Sequence, residues 1–230
     1  MSNAATAEKD LQSPAQDAQA PAKVAVMDLL PGQGPRADSP LAHADLATLA
    51  KKGAQQGGVC LQELKLLGHL VLRGSTENKE FVAGAEKALG VALPGPLQSA
   101  ESGEMSIRWI SPDEWLIIVP GPNAFQLERE LREAMGSAHC AVVNVSGGQT
   151  VLSISGANAR DVLQKSTPYD VHDRNFPVGK AVTTVFAKSQ AVIRRTGNES
   201  WELVIRRSFA DYLWLWLQDS SQEFGLVVKD

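Results

Sequence analysis

Residues 109–121 read "WISPDEWLIIVPG", and the way this stretch is read decides the fold. Ser-Pro-Asp at 111–113 is a turn signature, with "MSIRWI" (105–110) before it and "EWLIIVP" (114–120) after it as strands. Two acids between two tryptophans also invite a catalytic reading. Asp113 and Glu114 are adjacent, however, and if Glu114 opens the strand their side chains point to opposite sides. Shared proton chemistry needs two carboxyls converging on one substrate. An aspartate after proline serves a turn by bonding nearby backbone amides. Trp115, at a strand start, is expected in the core or at its edge, where a large aromatic contributes mainly through buried area.

Working outward, "VCLQELKL" and "HLVLRG" look like two strands joined by a turn at Gly68. "STENKEFVAGAEKALG" predicts a helix capped by Ser75 or Thr76, with Phe81, Ala85 and Leu89 at helical spacing and Gly90 as its stop. "NAFQLERELREAMG" places Ala124, Leu127, Leu131 and Met135 on one helical face. The later chain repeats this form. "AVVNV" and "TVLSISG" are strands, "ANARDVLQKS" a short helix, and "KAVTTVFA", "QAVIRRT" and "SWELVIRR" further strands. A helix over "SFADYLWLWLQDS" and a short strand "GLVVK" follow.

"DEWLIIVPGPNAFQLERELRE" thus matches "ESWELVIRRSFADYLWLWLQD", and Trp115 and Trp201 become counterparts. The expectation is an α+β chain of two similar lobes of antiparallel or mixed sheet with packed helices, about 55–137 and 138–230, in one domain over 41–230. Residues 1–40, rich in Ala, Gln, Pro, Ser and Asp, are expected to be a mobile polar segment in which 24–30 is able to dock as a short strand.

Hydrophobic and charged contents of 43% and 21% are those of an ordinary globular protein, and the net charge of -4 disfavours nucleic acid as a partner. Arg194, Arg195, Arg206 and Arg207 cluster in sequence, as strand ends with domain-closing ion pairs or as a surface for an acidic ligand. Cys60 and Cys140 lie far apart and are expected to be buried free thiols; the four histidines form no zinc pattern with them. No run approaches the ~18–20 apolar residues needed to span a bilayer. The N-terminus lacks the features of a secretory signal, so a cytoplasmic setting is expected.

Nucleophile elbow, phosphate loop and dinucleotide fingerprint are all missing; "SGGQT" from Ser146 has the glycines of a phosphate loop but neither its lysine nor its spacing. The richest polar loop is "PYDVHDRNFPVG" (168–179). Asp170, His172, Asp173 and Arg174 either bind a metal or substrate there, or hold a long ordered loop together. Phe176, Pro177 and Gly179 resemble an anchor and a tight turn, and Arg160 in the preceding helix is placed to pair with one of the acids. On the last helix Phe209, Tyr212, Leu213, Trp216 and Leu217 share a face. Trp214 lies off that face, covered by another layer or available to a partner.

Several of these stretches, "GVALPGP", "IRWISPDEWLIIVPG", "VSGGQTVLSISGANARDVLQKSTPYDVHDRNFPVGKAVTT" and "IRRSFADYLWLWL", resemble the gamma subunit of heterotetrameric sarcosine oxidase over about residues 40–226. The second half also resembles the folate-binding domain of the glycine-cleavage aminomethyltransferase. The resemblance implies that fold and a noncatalytic accessory role beside alpha, beta and delta subunits. It implies a complex carrying FAD, FMN, NAD and zinc on chains other than this one and using tetrahydrofolate, with no nucleic acid or membrane partner. Trp109, Asp113, Trp115, Arg160, Asp170, His172, Arg207 and Trp214 are then the candidates for partner contacts or family motifs. The competing reading is a folate-binding or aminomethyltransferase-like protein, with Arg194, Arg195 or Arg207 meeting the glutamate tail of folate. A generic interaction module is the third.

Overall fold

The computed structural model describes residues 37–230; most of the expected mobile segment, including 24–30, lies outside the described residues. Ser39 and Leu41 are already buried, so packed structure begins slightly before the expected boundary. A short helix α1 (Leu46–Lys52), not foreseen from the sequence, precedes strand β1 (Val59–Leu64). Strand β2 (Gly68–Gly74), helix α2 (Lys79–Leu89) and strands β3 (Ser99–Ser102), β4 (Met105–Ser111) and β5 (Glu114–Val119) follow, then helix α3 (Ala124–Met135). The same order recurs in β6 (Cys140–Asn144), β7 (Gln149–Ser155), α4 (Ala159–Ser166), β8 (Ala181–Phe186), β9 (Ser189–Gly197), β10 (Ser200–Arg206) and α5 (Ala210–Ser221). A last strand, β11 (Leu226–Lys229), closes the chain.

These strands form two sheets, of order β11-β1-β7-β10-β9-β8 and β3-β4-β5-β2-β6. The expected lobe boundary near residue 137 is therefore corrected. β1 does not pair with β2; it sits between β7, antiparallel, and β11, parallel. Its counterpart β6 pairs with β2. Each half thus gives its first strand to the other half's sheet. The chain enters β1 through Gly57 and Gly58, where a Cβ would lie 2.3 Å from the Gly225 carbonyl oxygen and 2.2 Å from Asn158 Oδ1. Only glycine lets the backbone pass this closely between α4 and β11.

Both faces of each sheet are covered, and strand alternation sorts the side chains. In β5, Trp115, Ile117 and Val119 pack beneath α2 and α3, whereas Leu116 and Ile118 face the other sheet. In β10, Trp201, Leu203 and Ile205 enter the core beneath α4 and α5, and Val204 meets Leu116, Ile118 and Val151 between the sheets. The result is helix, sheet, sheet, helix. Trp115 and Trp201 are 1% exposed and occupy matching positions in the two cores.

Helix α2 starts later than expected. Residues 75–78 form a turn closed by Asn78 N–H to the Ser75 carbonyl, and the Asn78 side chain caps the helix by accepting from Glu80 and Phe81 N–H. In α5 the buried face is Ala210, Leu213, Trp214, Leu217, Ser220 and Ser221, rotated from the expected one. Phe209 precedes the helix and is 40% exposed, and Leu215 carries the exposed apolar surface on α5. Trp214 is 3% exposed and belongs to the α4–α5 core, so of its two alternatives cover by another layer holds and partner contact is corrected. Truncating it removes a large buried side chain, so Trp214→Ala is expected to cost about 3 kcal/mol in urea unfolding.

Candidate functional site

The turn at 111–114 carries its own counterion. Arg73, from β2, meets Asp113 (Nε–Oδ2 2.8 Å) and reaches Glu114 (Nη1–Oε1 3.7 Å). The Ser111 hydroxyl donates toward both acids at 3.2 Å. The expectation that adjacency sends the two carboxylates to opposite sides is corrected, because the turn folds Asp113 back toward Glu114. The hydrogen bond and charge of Arg73 hold Asp113 below the usual carboxylate range. An exposed acid kept ionised in this way is a poor proton donor at neutral pH. Trp109 pairs across the hairpin with Trp115, and the Trp115 indole N–H donates to the Pro94 carbonyl (2.9 Å).

A cleft of about 560 Å³ opens beside the 168–179 loop. Its lining includes Gly156, Arg160, Asp173, Val178, Arg195 and Trp201. Arg160 and Arg195 both pair with Asp173, and their guanidiniums lie 5.7 and 5.3 Å from the Trp201 ring centroid. Arg160 therefore meets a loop acid as expected, and the acid is Asp173. The loop consumes its other polar groups internally. Asp170 accepts from the His172 N–H (3.0 Å), His172 Nδ1 accepts from the Arg174 N–H (3.2 Å), and Asn175 donates to the Asp170 carbonyl. No metal-binding cluster occurs among the described residues. Phe176 is fully buried and Gly179 has φ +85°, the anchor and tight turn that the sequence suggested.

The largest polar assembly lies between the sheets and was not legible as a unit. Arg108 of β4 and Arg194 of β9 converge on Glu202 of β10, and Arg194 also meets Glu101 of β3 (2.6 Å). Burial pulls the Arg108 guanidinium down to about 10. Nearby, His69 of β2 is 1% exposed, and neither ring nitrogen has a hydrogen-bond partner among the described residues. Glu63 of β1, also buried, accepts from Thr150 Oγ1 (2.9 Å) and Ser39 Oγ (2.6 Å). The available signal was charge inside strand patterns, as in "IRWI" and "WELVI". Alternation alone does not say which residues meet across two sheets.

Desolvation, reinforced by the Arg108 charge, lowers His69 from 6.5 to about 4. The unfolded chain therefore binds a proton between those values that the folded chain refuses. Stability is full above pH 6.5 and is lost as pH falls toward 4, by about 3 kcal/mol from this group. Urea midpoints at pH 7 and pH 4 are expected to show this loss in the wild type and a smaller one in His69→Gln.

The arginines proposed for a folate tail fare unequally. Arg194 is spent on Glu202 and Glu101, and Arg195 donates to the carbonyls of Gly197, Phe176 and Asn198 besides pairing with Asp173. Neither fits a new carboxylate without dismantling these contacts. Arg207 is exposed, lines a separate cleft with Leu66, Pro122 and Ser146, and makes one long hydrogen bond to the Gly147 carbonyl (3.5 Å). Both cysteines are free and only half-buried.

Two packed sheets with outer helices and matched core tryptophans define an α+β class of duplicated design. The glycine cleavage system aminomethyltransferase T from Bartonella henselae shares the fold, with a TM-score of 0.59 at 15% identity over 82% of this chain and 58% of that one. Closer similarity settles the family. Residues 73–223 match the sarcosine oxidase, gamma subunit family. Sarcosine oxidase subunit gamma of Corynebacterium sp. strain P-1 is 35% identical over 190 residues, covering 81% of this chain and 91% of the relative. A chain of the heterotetrameric sarcosine oxidase from Corynebacterium sp. U-96, solved with pyrrole 2-carboxylate, superposes with a TM-score of 0.74 at 32% identity. That match covers 82% of this chain and 96% of the other. The chain belongs to the sarcosine oxidase gamma subunit family.

Proposed function

We propose that this chain is a noncatalytic assembly subunit of a cytoplasmic heterotetrameric sarcosine oxidase, joined to alpha, beta and delta subunits. The complex demethylates sarcosine oxidatively to glycine and passes one carbon to tetrahydrofolate. FAD, FMN, NAD and zinc reside on the other chains. The observation that carries this reading is the family match over residues 73–223 together with the superposition on a chain of a heterotetrameric enzyme. Internal pairing of the candidate acids supports it: Asp113 and Glu114 serve Arg73, and Asp170 serves its own loop. No helix among the described residues is long and apolar enough to cross a membrane.

Co-expression with the three partner subunits is expected to give one complex that turns over sarcosine. The purified single chain is expected to be colourless and inactive; a flavin retained on it, or turnover by it alone, overturns the reading. The aminomethyltransferase likeness and the exposed Arg207 favour a second reading, tetrahydrofolate binding by this chain. Calorimetry with tetrahydrofolate at high micromolar concentration separates the two, since heat from the single chain supports only the second.

A further inference from the structure

Among the described residues, strand β8 ends the six-stranded sheet and β9 is the one strand paired with it. Its sequence, Ala-Val-Thr-Thr-Val-Phe, holds no charge and no proline. Folded proteins usually guard such an edge with lysine, proline or a bulge, because its free N–H and C=O groups are a template for another strand. The other edges are guarded: β3 carries Glu101, β11 carries Lys229, and Arg132 donates to the Val142 carbonyl of β6 (2.6 Å). Phe186 and Ser189 close a two-residue turn between β8 and β9. Val182, Thr184 and Phe186 therefore bond to β9, and Ala181, Thr183 and Val185 point their amides outward.

The first of these outward amides is already taken by a strand-like segment. Ala181 N–H donates to the Leu97 carbonyl (3.0 Å), Ser99 N–H donates to the Gly179 carbonyl (2.9 Å), and Gln98 bridges Lys180 in antiparallel sense. This short ladder ends at Leu97, whose φ of +60° marks a break from extended backbone. Beyond it the amides of Thr183 and Val185 face outward with no strand paired to them among the described residues. The Val185 side chain is 52% exposed, and Thr183 borders a groove whose lining includes Val71, Leu116, Val192 and Val204 together with the charged Glu114 and Arg206.

We propose that the Thr183–Val185 edge of β8 receives an extended strand from another subunit of the complex, continuing the antiparallel ladder that residues 97–99 begin. The occupant is an extended backbone because the edge offers alternating amide donors and acceptors. It carries apolar side chains toward Val185 and the groove. This rests on the assembly reading above.

Hydrogen exchange at the Thr183 and Val185 amides tests it, measured in the isolated chain and in the co-expressed complex. Fast exchange alone and strong protection in the complex are expected. Val185→Pro removes an outward donor and leaves the β9 ladder intact, so it should fold as the wild type and assemble roughly tenfold more weakly or worse. Exchange that stays fast in an intact complex overturns the proposal while leaving the assembly reading standing. Protection that rises with concentration of the isolated chain also overturns it, since the occupant is then a second copy. Failure of the wild type to assemble at all overturns the assembly reading together with this one.

Discussion

Residues 138–230 produced without the preceding chain are expected to show no cooperative unfolding transition. By sequence this half looks self-sufficient, with its own strands, two helices and a core tryptophan. Its sheet, however, is completed by β1, which lies between β7 and β11. Without β1 the inner strand β7 becomes an edge and β11 loses its partner. Leu41, Leu46, Val59 and Leu61, all buried in the same core, are lost with it. Each such side chain contributes about 1.5–3 kcal/mol by burial, which together rivals a typical total stability of about 5–15 kcal/mol. Near-ultraviolet dichroism and urea unfolding read the outcome. A synthetic peptide of residues 55–66 added in trans is expected to restore a transition. A fragment that unfolds cooperatively without the peptide contradicts the exchange of strands as a stability requirement.

Removing Glu202 is expected to produce the largest loss from a single substitution. Its carboxylate serves both Arg108 and Arg194, which are 1% and 6% exposed. Glu202→Ala leaves Arg108, the more deeply buried of the two, with no carboxylate in contact, at an expected cost of about 5 kcal/mol. Glu101 remains on Arg194 but is itself largely exposed, so it compensates little. Replacing Arg108, Arg194 and Glu202 together with methionine or leucine of similar volume is expected to be near neutral, because the desolvation cost disappears along with the attraction. Equal destabilisation by the single and triple variants would show that packing, rather than charge, dominates there.

Much of the fold was legible because its local patterns are strong. The turn at 111–113, the hairpin around it, and the apolar faces of α2 and α3 follow from residue type and spacing. The Gly-then-helix echo finds α2 and α4, although α2 starts a turn later than expected, and Trp115 and Trp201 do occupy matching cores. Short strands with apolar residues at both parities were harder. Leu61 and Leu70 look alike in sequence, yet one belongs to each sheet. Trp214 looked off-face because the buried face of α5 is rotated from the one its apolar residues suggested, so that Trp214 stacks with Ala210, Leu217 and Ser221 on the core side.

The candidate site divides in the same way. Arg160 was rightly sent toward the 168–179 loop, since one helix turn and a nearby acid limit the choices. Asp113 and Glu114 were judged by strand alternation, which holds only once the strand has begun. Arg73 reaches them from β2, some 40 residues earlier in the chain. The sequence by itself determined the elements, the repeated order of strands and helices, and the family, because these depend on neighbours along the chain and on motif spacing. Only the tertiary structure decided that β1 and β6 change places, that Arg108 and Arg194 share Glu202, and that β8 ends its sheet among the described residues. Those are pairings between distant segments, fixed by which faces bury one another.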